Sequence, residues 1–327
     1  MTLPQLLMSS LEKEISNISI QKLQKAYSVL SNNYRLNRKD MDQNFTLEEQ
    51  RLSYIVARMP STYETVCKVL TEINSENSEE IESILDIGAG PGTASWACCE
   101  TFDTIKNITL VEYNADMALL GKKIAQNHPI LKNANWIMQD ILNSKLELTK
   151  ADLVIASYSF NEIEDKNKEH ILKFLLDKTN KYLVIVDPGT PESFKSIHFA
   201  RKWFLENNTK IVAPCSHSQK CPAFEQQDWC HFYTRVQRTQ LHKILKEGEK
   251  GYEDEKFSYI IVSKVATNSY ESRIIRHPDI HSGHLKLNLC TSEGFETITY
   301  SKKNGAKYKK ARKSDWGDRW EINNFEE

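Results

Sequence analysis

Up to about residue 77 the apolar positions recur with a helical period. Leu6, Leu7, Leu11 and Ile15 share one face of a first helix, and Leu23, Ala26, Tyr27 and Leu30 share one face of a second. Thr46 followed by Leu47-Glu48-Glu49-Gln50 has the form of a capping box and predicts a third helix start. Pro60 predicts its end or a kink after Met59, since proline offers no N–H and crowds the preceding turn. The polar run at 74–80 is the expected junction. From residue 83 the rhythm becomes strand–helix–strand, with short apolar strands at 83–87, 108–111, 136–138, 152–156 and 182–186. Helix-like stretches between most of them predict a parallel sheet covered on both faces. Residues 190–250 read as helices around a cysteine-rich loop. Beyond 257 the pattern turns β-rich, with strands expected at 257–262, 273–276, 284–289 and 295–300. No repeat or low-complexity tract interrupts this order.

Composition narrows the class. A chain of 327 residues with 40% hydrophobic and 27% charged residues can bury a full core and carry one or two smaller attachments. A net charge of -1 gives no global attraction to nucleic acid, so any such binding must come from a local patch. Seven cysteines, an odd number with no secretory leader before them, argue against a disulfide framework. No signal peptide, arginine-rich transit segment or membrane-length apolar run is visible, which leads to the expectation of a cytoplasmic, non-membrane protein and a monomer.

The first strand runs into Asp86-x-Gly88-x-Gly90-x-Gly92 and then a helix. Glycines allow a sharp turn and a close backbone approach to a ligand, and the helix N-terminus favours an anionic group. Glu112 ends the next strand, twenty residues past Gly92, where an acid can hold both hydroxyls of a ribose. Asp140 follows the third strand, placed to bond an adenine amino group, and Ser157 at the end of the fourth is assigned to the same pocket. A dinucleotide fingerprint is G-x-G-x-x-G. The spacing here, G-x-G-x-G behind an acid, is that of S-adenosylmethionine-dependent methyltransferases, so S-adenosyl-L-methionine is the expected cofactor.

A catalyst is harder to find. The acceptor should sit beside the fourth strand's end, at Ser157-Tyr158-Ser159-Phe160-Asn161-Glu162-Ile163, which holds no Asn-Pro-Pro-Tyr. Asn161 and Glu162 could orient an acceptor amine, although capping the following helix is their plainer role. Pro214-Cys215 has the form of a nucleophile for a pyrimidine, but it follows the fifth strand and Cys215 has better-matched partners.

Those partners are Cys221, Cys230 and Cys290, with intervals of five, eight and fifty-nine residues from Cys215 onward. Cys67, Cys98 and Cys99 read as small apolar core residues. The quartet lacks the C-x-x-C knuckles of structural zinc, and His217, His231, His281 or His284 could replace one ligand. Spacing therefore favours a metal without naming it.

Over nearly its whole length the chain resembles the family that includes mitochondrial methyltransferase-like protein 17 and mitochondrial ribosomal small-subunit protein 22, with many bacterial relatives. The resemblance is carried by Ala57-Arg58-Met59-Pro60-Ser61-Thr62-Tyr63, by the glycine loop Leu85-Asp86-Ile87-Gly88-Ala89-Gly90-Pro91-Gly92-Thr93, and by Asp187-Pro188-Gly189-Thr190-Pro191. It continues in Ala213-Pro214-Cys215, Asp228-Trp229-Cys230-His231-Phe232, and Gly251-Tyr252-Glu253-Asp254-Glu255-Lys256-Phe257-Ser258-Tyr259. Asp187 and Ser216 depart from it, standing where relatives usually carry glutamate and often proline. The resemblance implies a [4Fe–4S] cluster held by Cys215, Cys221, Cys230 and Cys290, with zinc as the alternative metal, and a role on the small ribosomal subunit among its RNA and proteins.

The expected fold is α/β: a class I S-adenosylmethionine-dependent methyltransferase core preceded by helices and followed by a small β-rich segment. Its divisions are a helical region at 1–77, a methyltransferase-like domain at 78–256 with a metal loop at 213–232, and a β-rich segment with a basic tail at 257–327. That tail, Lys302-Lys303-Asn304-Gly305-Ala306-Lys307-Tyr308-Lys309-Lys310-Ala311-Arg312-Lys313, precedes Trp316, Arg319 and Trp320 and reads as an RNA contact, with basic groups on phosphates and aromatic rings stacked on bases. Lys243, Lys246 and Lys250 would extend it. Two functions are expected from the resemblance: methylation of small-subunit ribosomal RNA, or non-catalytic assembly of the subunit with the cofactor in a structural role.

Overall fold

The computed structural model describes residues 3–36, 47–74, 80–143, 146–246 and 248–322. Thr46 and residues 75–79, which carry the expected cap and most of the junction, lie outside these. The chain forms two compact units, one of Met1–Asn180 with Thr234–Glu255 and the other of Lys181–Tyr233 with Lys256–Glu327.

The first unit opens with three helices, α1 (Gln5–Ile15), α2 (Ile20–Leu36) and α3 (Glu48–Asn74). Leu7 and Leu11 of α1 and Leu23, Ala26 and Leu30 of α2 are buried, as their spacing predicts. Helix α3 corrects one expectation, because it runs through Pro60 without ending. An internal proline costs about 3 kcal/mol. Leu52, Ile55, Met59, Tyr63, Val66 and Leu70 are all buried along α3. At about 1.5–3 kcal/mol each, two or three such side chains outweigh the proline.

After α3 come β1 (Ser83–Ile87), α4 (Thr93–Thr101), β2 (Asn107–Val111), α5 (Ala115–Ala125), β3 (Asn135–Ile137), β4 (Ala151–Ser157) and α6 (Asp165–Lys178). The four strands are parallel in the order β3-β2-β1-β4. Ile84 of β1 lies opposite Ile108 of β2 on one side and Leu153 of β4 on the other. The chain thus winds outward from β1 and then returns to its other side. That reversal opens a crevice at the carboxyl ends of β1 and β4, where open α/β sheets bind ligands.

The second unit holds β5 (Thr179–Pro188), α7 (Pro191–Glu206), β6 (Lys210–Ala213) and α8 (Pro222–Glu225). Next in the chain are β7 (Phe232–Gln237), α9 (Gln240–Leu245) of the first unit, and β8 (Tyr252–Ser263). Strand β8 lies between β5 and β6 and is antiparallel to both, with Ile260 opposite Ile185 and Val262 opposite Ile211. A second, antiparallel sheet follows from β9 (Ser272–Ile274), β10 (Asp279–Ile280), β11 (His284–Thr291), β12 (Gly294–Ser301), helix α10 (Ala306–Ala311) and β13 (Arg319–Trp320). Leu285, Leu287 and Leu289 alternate along β11 into a core with Ile274, Tyr300, Tyr308 and Trp320. A parallel β3-β2-β1-β4 set, an antiparallel β8 and leading helices are the class I methyltransferase fold that the pattern predicts. Strands β6, β7, β10 and β13 were not expected; all are short, and β7 alternates buried and exposed positions beside the cysteines.

The basic segment is also corrected, since it is not a free tail. It forms a short 3-10 turn at Lys302–Asn304 and then α10, which buries Tyr308 and Ala311. Trp316 and Trp320 are 7% and 1% exposed, and the Trp320 Nε1–H donates to Tyr300 Oη at 3.1 Å. Their rings belong to the core of this unit and cannot stack on RNA bases.

Candidate functional site

The glycine loop joins β1 to α4 with Gly88, Gly90 and Gly92 all at positive φ. At Gly88 a Cβ would lie 2.5 Å from Ser159 Cβ, whereas at Gly90 it would meet nothing within 4 Å. One glycine therefore permits close packing against the β4 end, and the other leaves space open above the loop. Asp86 is fully buried; one carboxylate oxygen accepts from Ser95 N–H at 3.1 Å and Ser95 Oγ–H at 2.7 Å. Its other oxygen is buried without a partner. Burial pushes Asp86 up to about 7 against the pull of those two bonds. Glu112 accepts from Gly90 N–H at 2.7 Å and, with its other oxygen, from Asn114 N–H at 2.8 Å. Ser157 Oγ, at the end of β4, is buried and unpartnered. Asp140 is exposed and accepts from Leu142 N–H at 2.9 Å. A buried carboxylate oxygen and hydroxyl without partners, beside a glycine with open space, suit a cofactor that brings its own donors and acceptors.

The turn after β4 carries Asn161 and Glu162 in a 3-10 turn, Phe160–Glu162. Neither caps α6, whose N-cap is Glu164, so the plainer role foreseen for them does not hold. Asn161 Oδ1 is buried without a partner, and Glu162 is exposed. Tyr158 is held at φ 58, a conformation that costs a non-glycine residue about 1–2 kcal/mol. Its hydroxyl donates to Glu255 Oε1 at 3.3 Å, and Arg58 forks onto that same carboxylate at 3.0 Å. Sequence reasoning missed Trp136, whose ring would lie 2.3 Å from a Cβ at Gly121. A glycine in the interior of α5 was the available sign that something packs close there.

The four cysteines come together in the second unit. Cys215 follows β6, Cys221 precedes α8, Cys230 precedes β7 and Cys290 lies on β11, and all four line one cavity that is partly open to solvent. Alternation along β11 turns Leu285, Leu287 and Leu289 into the core and sets Cys290 on the opposite face. Cys290 lies directly across from Arg273 of β9. Arg201, on α7, is 6% exposed and donates from Nε to Cys215 Sγ at 3.2 Å. Its Nη2 donates to the carbonyls of His217 and Gln219 at 3.1 and 2.7 Å. Arg273 donates from Nε to Pro214 O at 2.8 Å.

Burial, with repulsion from neighbouring sulfurs, raises the thiol pKa of Cys221, raises that of Cys230 well above the ordinary value, and pushes Cys290 up to about 12. Burial would lower Arg201, yet facing Cys215, and then Cys221 and Cys290, raises it. These directions agree on one point: thiolates at Cys221, Cys230 and Cys290 need more positive charge than the arginines supply. A soft cation fits that donor set. Among the described residues no group of three or more His, Cys, Asp or Glu stands ready to hold a metal ion. Of the four candidate histidines only His217 lines the cavity, its Nε2 3.5 Å from Cys290 Sγ. His231 contacts Trp229 and Trp316, while His281 and His284 stack on each other. Arg201 escaped the sequence reading, although a charged residue among Phe194, Ile197, Ala200 and Phe204 of a buried helical stripe is a visible anomaly.

Residues 48–321 match the family model described as mitochondrial small ribosomal subunit Rsm22. Two proteins of Schizosaccharomyces pombe, Rsm22-cox11 tandem proteins 1 and 2, mitochondrial, are 26% identical over 341 aligned positions, covering 86% of this chain. The chain spans 44% of the length of those relatives. Among solved structures, magnesium protoporphyrin IX methyltransferase of Synechocystis PCC 6803 with bound SAH is 11% identical, with a TM-score of 0.42 over 73% of this chain and 100% of that one. A SAM dependent methyltransferase from Aquifex aeolicus is 13% identical, with a TM-score of 0.40 over 65% and 93% of the two chains.

Proposed function

Because the chain belongs to the Rsm22 family, which is described as mitochondrial small ribosomal subunit, we propose that it acts on the small ribosomal subunit, binds S-adenosyl-L-methionine in its glycine loop, and carries a [4Fe–4S] cluster on Cys215, Cys221, Cys230 and Cys290. The observation that carries this reading is the meeting of four thiols, from loops after β6 and before α8 and β7 and from β11, in one cavity with a buried arginine bonded to one of them. A bound cluster would supply four iron–thiolate bonds that tie β11 to the loop at 215–230. The chain's own residues hold the sulfurs: Arg201 fixes the segment between Cys215 and Cys221, Arg273 fixes Pro214, and Ser258 Oγ–H donates to Cys230 O at 2.8 Å.

In the first unit, Glu112, bonded to Gly90 N–H, and Asp86 and Ser157, each with a buried oxygen lacking a partner, are the groups that would meet the cofactor's ribose and amino acid. On this reading the products of action are methylated ribosomal RNA, correct subunit assembly, or both. One observation favours assembly without catalysis: Cys215 lines the cavity with three other thiols, so the sole Pro-Cys would be taken up as a ligand and not left as a nucleophile.

Anaerobic purification tests the metal, with stoichiometric iron and sulfide and a brown protein expected. Colourless protein rich in zinc would sink the cluster. Comparing ribosomal RNA modifications and small-subunit precursors, with and without the protein, tests the rest. Precursors that accumulate with every methyl group in place support assembly alone, and unchanged precursors and methyl groups remove the ribosomal role.

A further inference from the structure

We infer that Arg201 is the internal counter-charge of the four-cysteine site and raises the reduction potential of the cluster proposed above, an inference that rests on the cluster reading. Arg201 is nine-tenths buried, and burying a guanidinium is costly unless an opposite charge or several acceptors meet it. No carboxylate among the described residues bonds it. Its partners are two carbonyl oxygens and the Cys215 sulfur, so the negative charge it would meet is that of Cys215 as a cluster ligand. The guanidinium uses both ends of its fork. Nε addresses the sulfur, and Nη2 clamps the backbone at His217 and Gln219, between the first two ligands.

Geometry thus gives Arg201 two separable effects. The clamp holds the loop in a ligating shape, and residues that hold ligands in place typically set metal retention by about 10–100-fold. The charge acts on electron affinity. Reduction adds one negative charge to the cluster, and a buried cation in contact with a ligating sulfur stabilises the reduced form. Arg273 sits across the ladder from Cys290 and donates from Nε and Nη1 to the Pro214 and Gly317 carbonyls, whereas Arg201 donates directly to a ligand sulfur.

The full chain is reconstituted anaerobically with ferrous iron and sulfide, then titrated with dithionite while absorption and electron paramagnetic resonance are followed. Arg201→Met removes charge and clamp together; its cluster is expected to have a more negative midpoint potential and to lose iron to a chelator about tenfold faster. Arg201→Lys keeps the charge without the fork, so it should retain a near-wild-type potential while losing iron faster. If Arg201→Met does not fold, Arg201→Gln, neutral but still a donor to the carbonyls, carries the potential measurement. A neutral variant with an unchanged potential overturns the counter-charge, even if iron is lost faster, because clamping alone would then explain it. Wild-type protein that takes up no iron and sulfide would instead remove the cluster reading itself.

Discussion

Glu112 Oε2 accepts the Gly90 N–H at 2.7 Å, so the acid that ends β2 is bonded to the loop over which the cofactor would lie. The carboxylate is 6% exposed and also accepts from Asn114 N–H, which leaves it little freedom to turn away. Glu112→Ala removes both the loop anchor and the acceptor for the ribose hydroxyls. Losing a hydrogen bond to a charged group costs about 1.5–3 kcal/mol, so affinity for S-adenosylmethionine should fall roughly 10- to 100-fold, with Glu112→Gln falling less. Isothermal titration of the purified chain measures this, and an unaltered affinity in Glu112→Ala would exclude the carboxylate from the pocket.

Gly88 and Gly90 share a left-handed backbone but differ in surroundings. Alanine at either position bears about 1–2 kcal/mol of conformational cost. At Gly88 the added methyl would also lie 2.5 Å from Ser159 Cβ, and Ser159 is anchored by its hydroxyl donating to Ile87 O at 3.0 Å. Overpacking of this kind typically adds about 1–3 kcal/mol. Gly88→Ala should therefore lower urea stability clearly more than Gly90→Ala. Gly90→Ala should instead act on cofactor binding, because its methyl enters open space above the loop. Equal destabilisation of the two variants would contradict the packing of Ser159 under the loop.

Asp86 gives the first unit a pH dependence. Its carboxyl ionises near 3.8 when unperturbed and is pushed up to about 7 by burial in the folded chain. Between those values the folded state binds more protons than the unfolded one, so this group's contribution to stability falls as pH rises from about 4 to about 7, then levels off. A difference of that size corresponds to at most about 4 kcal/mol. Asp86→Asn keeps an acceptor for Ser95 and does not titrate. The stability of wild type relative to Asp86→Asn should therefore decline over that window, as followed by urea unfolding at a series of pH values. A constant difference from pH 4 to 8 would show that Asp86 ionises normally.

Much of the fold was legible because it rests on local pattern. The strand at 83–87 coincides with β1, and the other predicted strands fall within one to five residues of their observed ends. Four-residue β6 escaped because it is too short to show a period, and half-exposed β7 because polar residues interrupt its apolar ones. Pro60 misled because propensity is local, whereas the burial that carries α3 through it comes from packing against α2 and α4. The cysteines could be grouped from sequence, yet Arg201 could not be linked to Cys215 without knowing that α7 and the loop after β6 share a cavity. The tail was misread for the same reason. Lys302–Lys313 looked like a basic arm, and only the fold shows that Tyr308, Trp316 and Trp320 pin it down.

That pinning makes a prediction about RNA. Lys302, Lys303, Lys309 and Lys313 are exposed around α10, a rigid cluster of positive charge on the second unit. Lys246, expected to extend the patch, instead lies 2.6 Å from Glu253 Oε1 with a side chain only 11% exposed, so it is spent on an internal ion pair. Each lysine that neutralises a phosphate steepens the salt dependence of binding by about 0.7–0.9 in log–log slope. Replacing these four lysines by glutamine should therefore weaken binding to small-subunit ribosomal RNA and flatten the slope by roughly 3, if all four touch phosphates. Trp320→Ala should behave differently. It removes a buried ring and its bond to Tyr300, which costs about 3–5 kcal/mol and lowers thermal stability. Filter binding over a salt series, paired with thermal melting, separates the two. A quadruple variant with the wild-type slope would move the RNA contact away from α10.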